Sequence, residues 1–294
     1  MRRRGLIAFV GVLFCLLPGL PGCSWSGTRR GGPKDGLSPE KAAQAQAISE
    51  RAQAAVDAGA LDRAEAELAQ LVTVSPRSPE AYQRLGAVIQ LRGRPAEAEA
   101  CFRKALELDP DYVGALIGLG RMEAGRGQLD SALKRLETAV EIEPHDASGH
   151  LGLAVVLEAL GRTDEALAAY FRSLENDPFL AESNRRIAAV QLARGEADQA
   201  LVRLDQSIEA TPGDAEAVFL RGRAHLALRH IDPAVKDLRN ASQQLPDRPD
   251  VHLALALALD AARHPAAALE AVEQALRLAP NDLDAISLSE RLRR

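Results

Sequence analysis

Apolar residues recur along this chain at helical spacing. Tyr82, Leu85, Gly86 and Ile89 stand at i, i+3, i+4 and i+7, which is one face of a helix. Gly93 then allows a left-handed turn. Ala98, Phe102 and Ala105 form a second helical stripe, and Pro110 stops it. The pattern predicts two antiparallel helices joined by a tight turn, with small residues where the helices meet.

The same unit recurs without a slip. Pro76, Pro110, Pro144, Pro178, Pro212, Pro246 and Pro280 are 34 residues apart. Twelve positions before each proline stands alanine: Ala64, Ala98, Ala132, Ala166, Ala200, Ala234 and Ala268. Eight before each is a bulky residue: Leu68, Phe102, Leu136, Tyr170, Leu204, Leu238 and Val272. Twenty-four before each is Gly or Ala: Ala52, Gly86, Gly120, Ala154, Ala188, Gly222 and Ala256. A fixed period of this length marks a repeat architecture. The turn glycine appears as Gly59, Gly93, Gly127, Gly161 and Gly195 but is Arg229 and Arg263 in the last two units. A left-handed backbone at those arginines would cost on the order of 1 kcal/mol each. Asp62, Asp130, Asp164, Asp198 and Asp232 stand where each second helix begins, as candidate caps for its free N–H groups.

Period, small columns, bulky column and proline together resemble the tetratricopeptide repeat family. The resemblance covers residues 45–282 in seven units. It implies an all-α fold: a right-handed α-solenoid of seven 34-residue helix-turn-helix repeats, with residues 283–294 as a C-terminal capping helix. The weakest matches are Arg51 and Arg221, where an aliphatic residue is usual, and Glu123 and Gln191, where a bulky one is.

The N-terminus reads as an address. Arg2, Arg3 and Arg4 precede an apolar run, and the segment closes with Leu20-Pro21-Gly22-Cys23. The run is shorter than the roughly 17–25 residues of a membrane span. Its end resembles the lipobox of bacterial lipoproteins, although Pro21 is an unusual occupant. The resemblance implies a lipoprotein signal peptide over 1–22, acylation of Cys23, and a tether over 23–44. An uncleaved N-terminal anchor and ordinary export are the other readings. Localisation would be the bacterial envelope, facing the periplasm, with the outer membrane favoured by Ser24.

Composition narrows the chemistry. Of 294 residues, 47% are hydrophobic, 26% charged and 3% aromatic, so the chain can bury a large core but offers few stacking platforms. Without residues 1–22 the chain holds 33 basic and 41 acidic residues, a net charge of −8. That balance disfavours both nucleic acid and direct adhesion to anionic lipid. His150 and His252 share one column with Asn184, and units stacked a helix pair apart cannot bring such residues to one metal at about 2 Å. Cys101 stands alone as a packed thiol. No phosphate-binding glycine loop or nucleophile elbow is present. We expect no enzyme, no catalytic residues, no cofactor, no metal and no nucleic-acid partner.

In the family that the repeats resemble, first helices line a concave face. The residues that fall on it here include Ile117, Arg121, Leu151, Val155, Arg185, Phe219, Arg223, Leu226, Leu253 and Leu257. Glu182, Glu216 and Asp250 edge it. This profile suits a protein or peptide segment with apolar anchors and one or two acids. Phe219 with Arg223, one turn apart, is the expected hot spot. Lysine and asparagine, with which some members grip a C-terminal carboxylate, are missing from these columns. The function implied is a lipid-anchored adaptor or scaffold for protein–protein interaction. A pilotin-like assembly factor for a pilus or secretion pore, a lipoprotein bringing cell-wall hydrolases to proteases, and a self-associating structural scaffold are the competing versions.

Overall fold

A computed structural model describes residues 37–294. The signal-like segment, Cys23 and most of the expected tether lie outside the described residues. Among the described residues there are fifteen α-helices and no strand. The chain divides into two compact units, one ending at Ala169 and the other beginning at Tyr170.

The first unit contains α1 (Pro39–Asp57) and α2 (Leu61–Val74), then α3 (Pro79–Leu91) and α4 (Pro95–Leu108). It continues with α5 (Val113–Gly125), α6 (Leu129–Ile142), α7 (Ala147–Ala159) and the start of α8 (Thr163–Asn176). The second unit takes the rest of α8, then α9 (Ala181–Ala193), α10 (Ala197–Ala210), α11 (Ala215–Ala227) and α12 (Ile231–Gln244). It ends with α13 (Pro249–Ala261), α14 (Pro265–Leu278) and α15 (Leu283–Leu292). Each unit is a succession of helical hairpins, with α1 to α7 and α9 to α15 each packed on their sequence neighbours. Helix α15 occupies the span expected of the capping helix. At the other end α1 begins at Pro39, earlier than the 45 expected. Ser38 caps it by accepting from the Lys41 N–H at 3.4 Å, and Pro39 fits the first turn because no N–H is needed there.

The repeat columns form the core. All seven alanines twelve before the proline are at most 2% exposed, and so are all seven bulky residues eight before it. The glycines of the third column explain how bulk and smallness fit together. A Cβ on Gly120 would lie 2.8 Å from Leu136 Cγ, and one on Gly222 would lie 2.7 Å from Leu238 Cγ. The first helix therefore rests directly on the bulky side chain of its partner helix.

The four off-pattern residues each find a polar partner on the second helix of their own hairpin. Arg51 pairs with Glu67 at 3.0 Å, and Arg221 with Asp237 at 2.7 Å. Glu123 pairs with Arg135 at 2.8 Å, and the Gln191 amide donates to Gln199 Oε1 at 3.1 Å. A polar contact thus replaces an aliphatic one without breaking the hairpin.

The caps differ from the expectation. Asp62, Asp130, Asp198 and Asp232 are the second residues of α2, α6, α10 and α12, and the cap positions before them make no side-chain bond. These aspartates can act only as charges at the positive helix end. Side-chain caps sit instead on first helices, two residues after the repeat proline. Asp146 accepts from Gly149 N at 2.5 Å, Asp214 from Ala217 N at 3.1 Å, and Asp282 from Ala285 N at 2.9 Å.

The turns match the reading. The five turn glycines have φ between 68° and 79°, while Arg229 and Arg263 are held at 63° and 60°. An L-residue there meets a steric cost that glycine avoids. Arg229→Gly and Arg263→Gly should each stabilise the chain by about 0.5–1 kcal/mol. Urea unfolding checks this, and Arg92→Gly, at φ −82°, should instead destabilise.

Candidate protein-interaction surface

The first-helix residues expected to form a partner surface separate by burial. In the first unit Ile117 on α5 and Leu151 on α7 are only 6% and 7% exposed, so neither is a contact residue as expected. The reason for Ile117 is local. Its Cδ1 lies 3.5 Å from where a Cβ on Gly149 would be, which is van der Waals distance, so Ile117 packs onto the start of α7. Arg121 is half-buried and donates from Nη2 to the Ser148 carbonyl at 3.2 Å. Val155 is half-buried beside it in sequence phase.

In the second unit the expected hot spot is overturned. Phe219 on α11 is 2% exposed and belongs to the core cluster with Val218, Leu238 and Val251. Two guanidiniums cover its ring: Arg223 at 5.7 Å and Arg248 at 5.3 Å from the centroid. This is cation–π packing over an interior aromatic. Arg248 is held in place by Glu216 at 2.7 Å and Asp250 at 2.5 Å. Hydrogen bonding to Asp250, more than to Glu216, pushes the Arg248 pKa up. Burial raises the Asp250 carboxyl, but Arg248 overrides it and leaves it below its ordinary value. The edge acids are therefore engaged inside the chain, and Glu182 pairs with Arg186 at 3.4 Å.

Arg185 on α9 is paired as well, with Asp214 at 3.0 Å, which ties it to the cap of α11. Leu226 and Leu253 are half-buried against the core. That leaves Leu257 on α13, 40% exposed, and Arg223 on α11, exposed apart from its contact with Phe219. The surface available to a partner is smaller and more polar than the sequence columns suggest.

The histidines have structural roles. His150 Nε2 lies 2.9 Å from the Pro144 carbonyl, and His252 Nε2 lies 2.8 Å from the Pro246 carbonyl. Asn184 donates to the Pro178 carbonyl at 3.1 Å from the same column. All three close the loop that begins at the repeat proline. Cys101 is partly buried, and that burial pushes its thiol pKa up, away from nucleophilic character. Sequence reasoning missed one pair: His225 and His230 flank the Arg229 turn, with Nδ1 atoms 3.4 Å apart. Only their spacing across a left-handed turn could have signalled it. Among the described residues no group of three or more His, Cys, Asp or Glu is placed to hold a metal, and no helix is long and apolar enough to cross a membrane.

Residues 48–176 match the family model of the cilia and flagella-associated protein 70 middle TPR-like domain. Residues 186–238 and 220–282 match the tetratricopeptide repeat model. The chain belongs to the tetratricopeptide repeat family. No curated protein matches it. Among solved structures it is similar to a chain of the APC/C hetero-tetramer Cut9–Hcn1, at 20% identity and TM-score 0.63, covering 77% of this chain and 45% of that one. It thus spans under half of that relative. It is also similar to pilF of Pseudomonas aeruginosa, at 19% identity and TM-score 0.60, covering 70% of this chain and 94% of that one. YrrB, described as a TPR protein with an unusual peptide-binding site, matches at 20% identity and TM-score 0.55, covering 64% of this chain and 97% of that one. These likenesses establish the all-α fold, which is a scaffold for binding proteins.

Two outcomes follow from the burial. Phe219→Ala should cost about 3–5 kcal/mol of stability, read as a lowered melting temperature, because it empties a core site. Burial, more than the neighbouring charges of Arg221 and His230, lowers the His225 pKa, while Asp237 and Asp205 act oppositely. A base whose folded pKa lies below its unfolded value loses stability as pH falls from about 6.5 through the folded pKa. Acidification from pH 7 to pH 5 should therefore destabilise the wild type more than His225→Gln, measured by urea unfolding at each pH.

Proposed function

We infer that this chain is a lipid-anchored adaptor of the bacterial envelope that binds a protein segment on its first-helix side and does no chemistry itself. The observation that supports a partner site is the pair left open on the second unit: Leu257, 40% exposed, and Arg223, whose guanidinium is exposed beside the Phe219 ring. An apolar anchor next to a cation suits a segment that carries an apolar side chain and an acid. Leu226 and Leu253, on the same two helices, are partly buried against the core. The anchor rests on the lipobox-like Leu20-Pro21-Gly22-Cys23, and the periplasmic address, with the outer membrane favoured, rests on the same segment. A pilotin-like role in pilus or secretion-pore assembly is a narrower form of this reading.

One experiment separates anchor from binding. Full-length chain is expressed in a bacterial host as wild type, Cys23→Ala and Arg223→Glu/Leu257→Asp, and envelope fractions are crosslinked and identified by mass spectrometry. Cys23→Ala should lose acylation and leave the lipoprotein fraction. The double variant should stay acylated and lose crosslinks present in wild type. An unacylated wild type contradicts the anchor. An unchanged crosslink list contradicts the site.

A further inference from the structure

Phe171, Phe179 and Val202 are 39%, 64% and 59% exposed, three of the six large hydrophobic residues exposed among the described residues. All three lie in the second unit. Scattered singly they would need no explanation. Here the Arg203 side chain touches Phe171 and leads, through Asn184, to the corner that carries Phe179. The Arg203 guanidinium on α10 lies over the Phe171 ring on α8, 5.4 Å from its centroid. Its Nη1 also lies 3.4 Å from Asn184 Oδ1, and the Asn184 amide donates to the carbonyl of Pro178, the residue before Phe179. Val202 precedes Arg203 on the same helix turn. Phe171, Arg203, Asn184 and the Pro178-Phe179 corner are thus linked contact by contact.

The repeat supplies an internal reference. The column seven before the proline, which holds Phe171, elsewhere carries Ala69, Arg103, Glu137, Asp205, Arg239 and Glu273. The column one after the proline, which holds Phe179, elsewhere carries Arg77, Asp111, His145, Gly213, Asp247 and Asn281. No other unit places a large apolar residue at either position. Aromatic residues enter both in one unit alone, where folding does not require them. Phe179 is also fixed in place, since its N–H donates to Asp177 Oδ1 at 3.1 Å.

Charge identifies what the patch fits. Arg203 has no carboxylate within ion-pairing distance among the described residues, and its side-chain bonds are long ones, 3.4 Å each, to the neutral amides of Asn184 and Gln206. Many other arginines of the chain, such as Arg94, Arg221 and Arg248, are paired with acids. An arginine stacked on an aromatic ring with donors to spare is suited to a bidentate carboxylate. We propose that Phe171, Phe179, Val202 and Arg203 form a second docking surface, on the second-helix side, for a protein segment carrying an aromatic residue beside a carboxylate. The carboxylate pairs with Arg203, and the aromatic side chain packs on Phe179 and Val202.

The test pans a phage-displayed library of random dodecapeptides on the immobilised full chain. Recovered peptides are synthesised, and their affinities measured for wild type, Phe179→Ser, Arg203→Gln and Leu257→Asp. The expected result is enrichment of peptides with an aromatic residue adjacent to Asp or Glu. Their affinity should fall at least tenfold in Phe179→Ser and in Arg203→Gln and stay unchanged in Leu257→Asp, with all three variants melting as wild type does. Recovery of no such peptide, or peptides indifferent to Phe179→Ser and Arg203→Gln, overturns the proposal. So does sedimentation showing a wild-type dimer that Phe179→Ser makes monomeric, because the patch would then be covered by a second copy.

Discussion

The contact on which each hairpin depends is a bulky side chain of the second helix set against a glycine or alanine of the first. At Gly120 and Gly222 there is no space for a methyl group, and Leu136 and Leu238 occupy that space instead. Dispersion contacts are individually small, so the gain comes from how closely two helix backbones approach along the whole face. Smallness on one helix and bulk on the other must therefore stay in phase, and the 34-residue period is the record of that requirement.

The same constraint explains where polar residues are tolerated. Arg51, Glu123, Gln191 and Arg221 occupy positions flanking the tight contact, and each reaches across to a partner on the second helix. Asp237, 5% exposed, is stable there because Arg221 takes both of its oxygens, at 2.7 and 3.0 Å. A buried acid without such a partner would be costly. Loop ends are closed by the same economy of local bonds: a ring nitrogen or amide from His150, Asn184 or His252 onto the repeat proline's carbonyl.

The fold was largely legible because its determinants are local and repeated. Helix pairs, turn geometry at Arg229 and Arg263, and the buried columns all follow from residues within one period. The caps were placed on the second helices, because an aspartate at the second residue of a helix reads the same in sequence as one at the cap. The candidate surface was less legible. Helical phase says which way Phe219 points but not what covers it, and its cover includes Arg248, which stands in the cap column where other units hold Asp146, Asp214 and Asp282. Ile117 likewise is covered by a contact one unit later, at Gly149 on α7.

The most direct measurement is a double-mutant cycle on Gly222 and Leu238 by urea unfolding. Gly222→Ala alone mixes a gain in helix propensity with overpacking, and the cycle cancels the propensity. If the first helix rests on the bulky side chain, the methyl added at 222 is strongly unfavourable beside Leu238 and less so once Leu238→Ala has removed the side-chain clash, leaving only the Leu238 backbone nitrogen at 3.2 Å. The account predicts a coupling of about 1–3 kcal/mol. Additive effects at the two positions would contradict it.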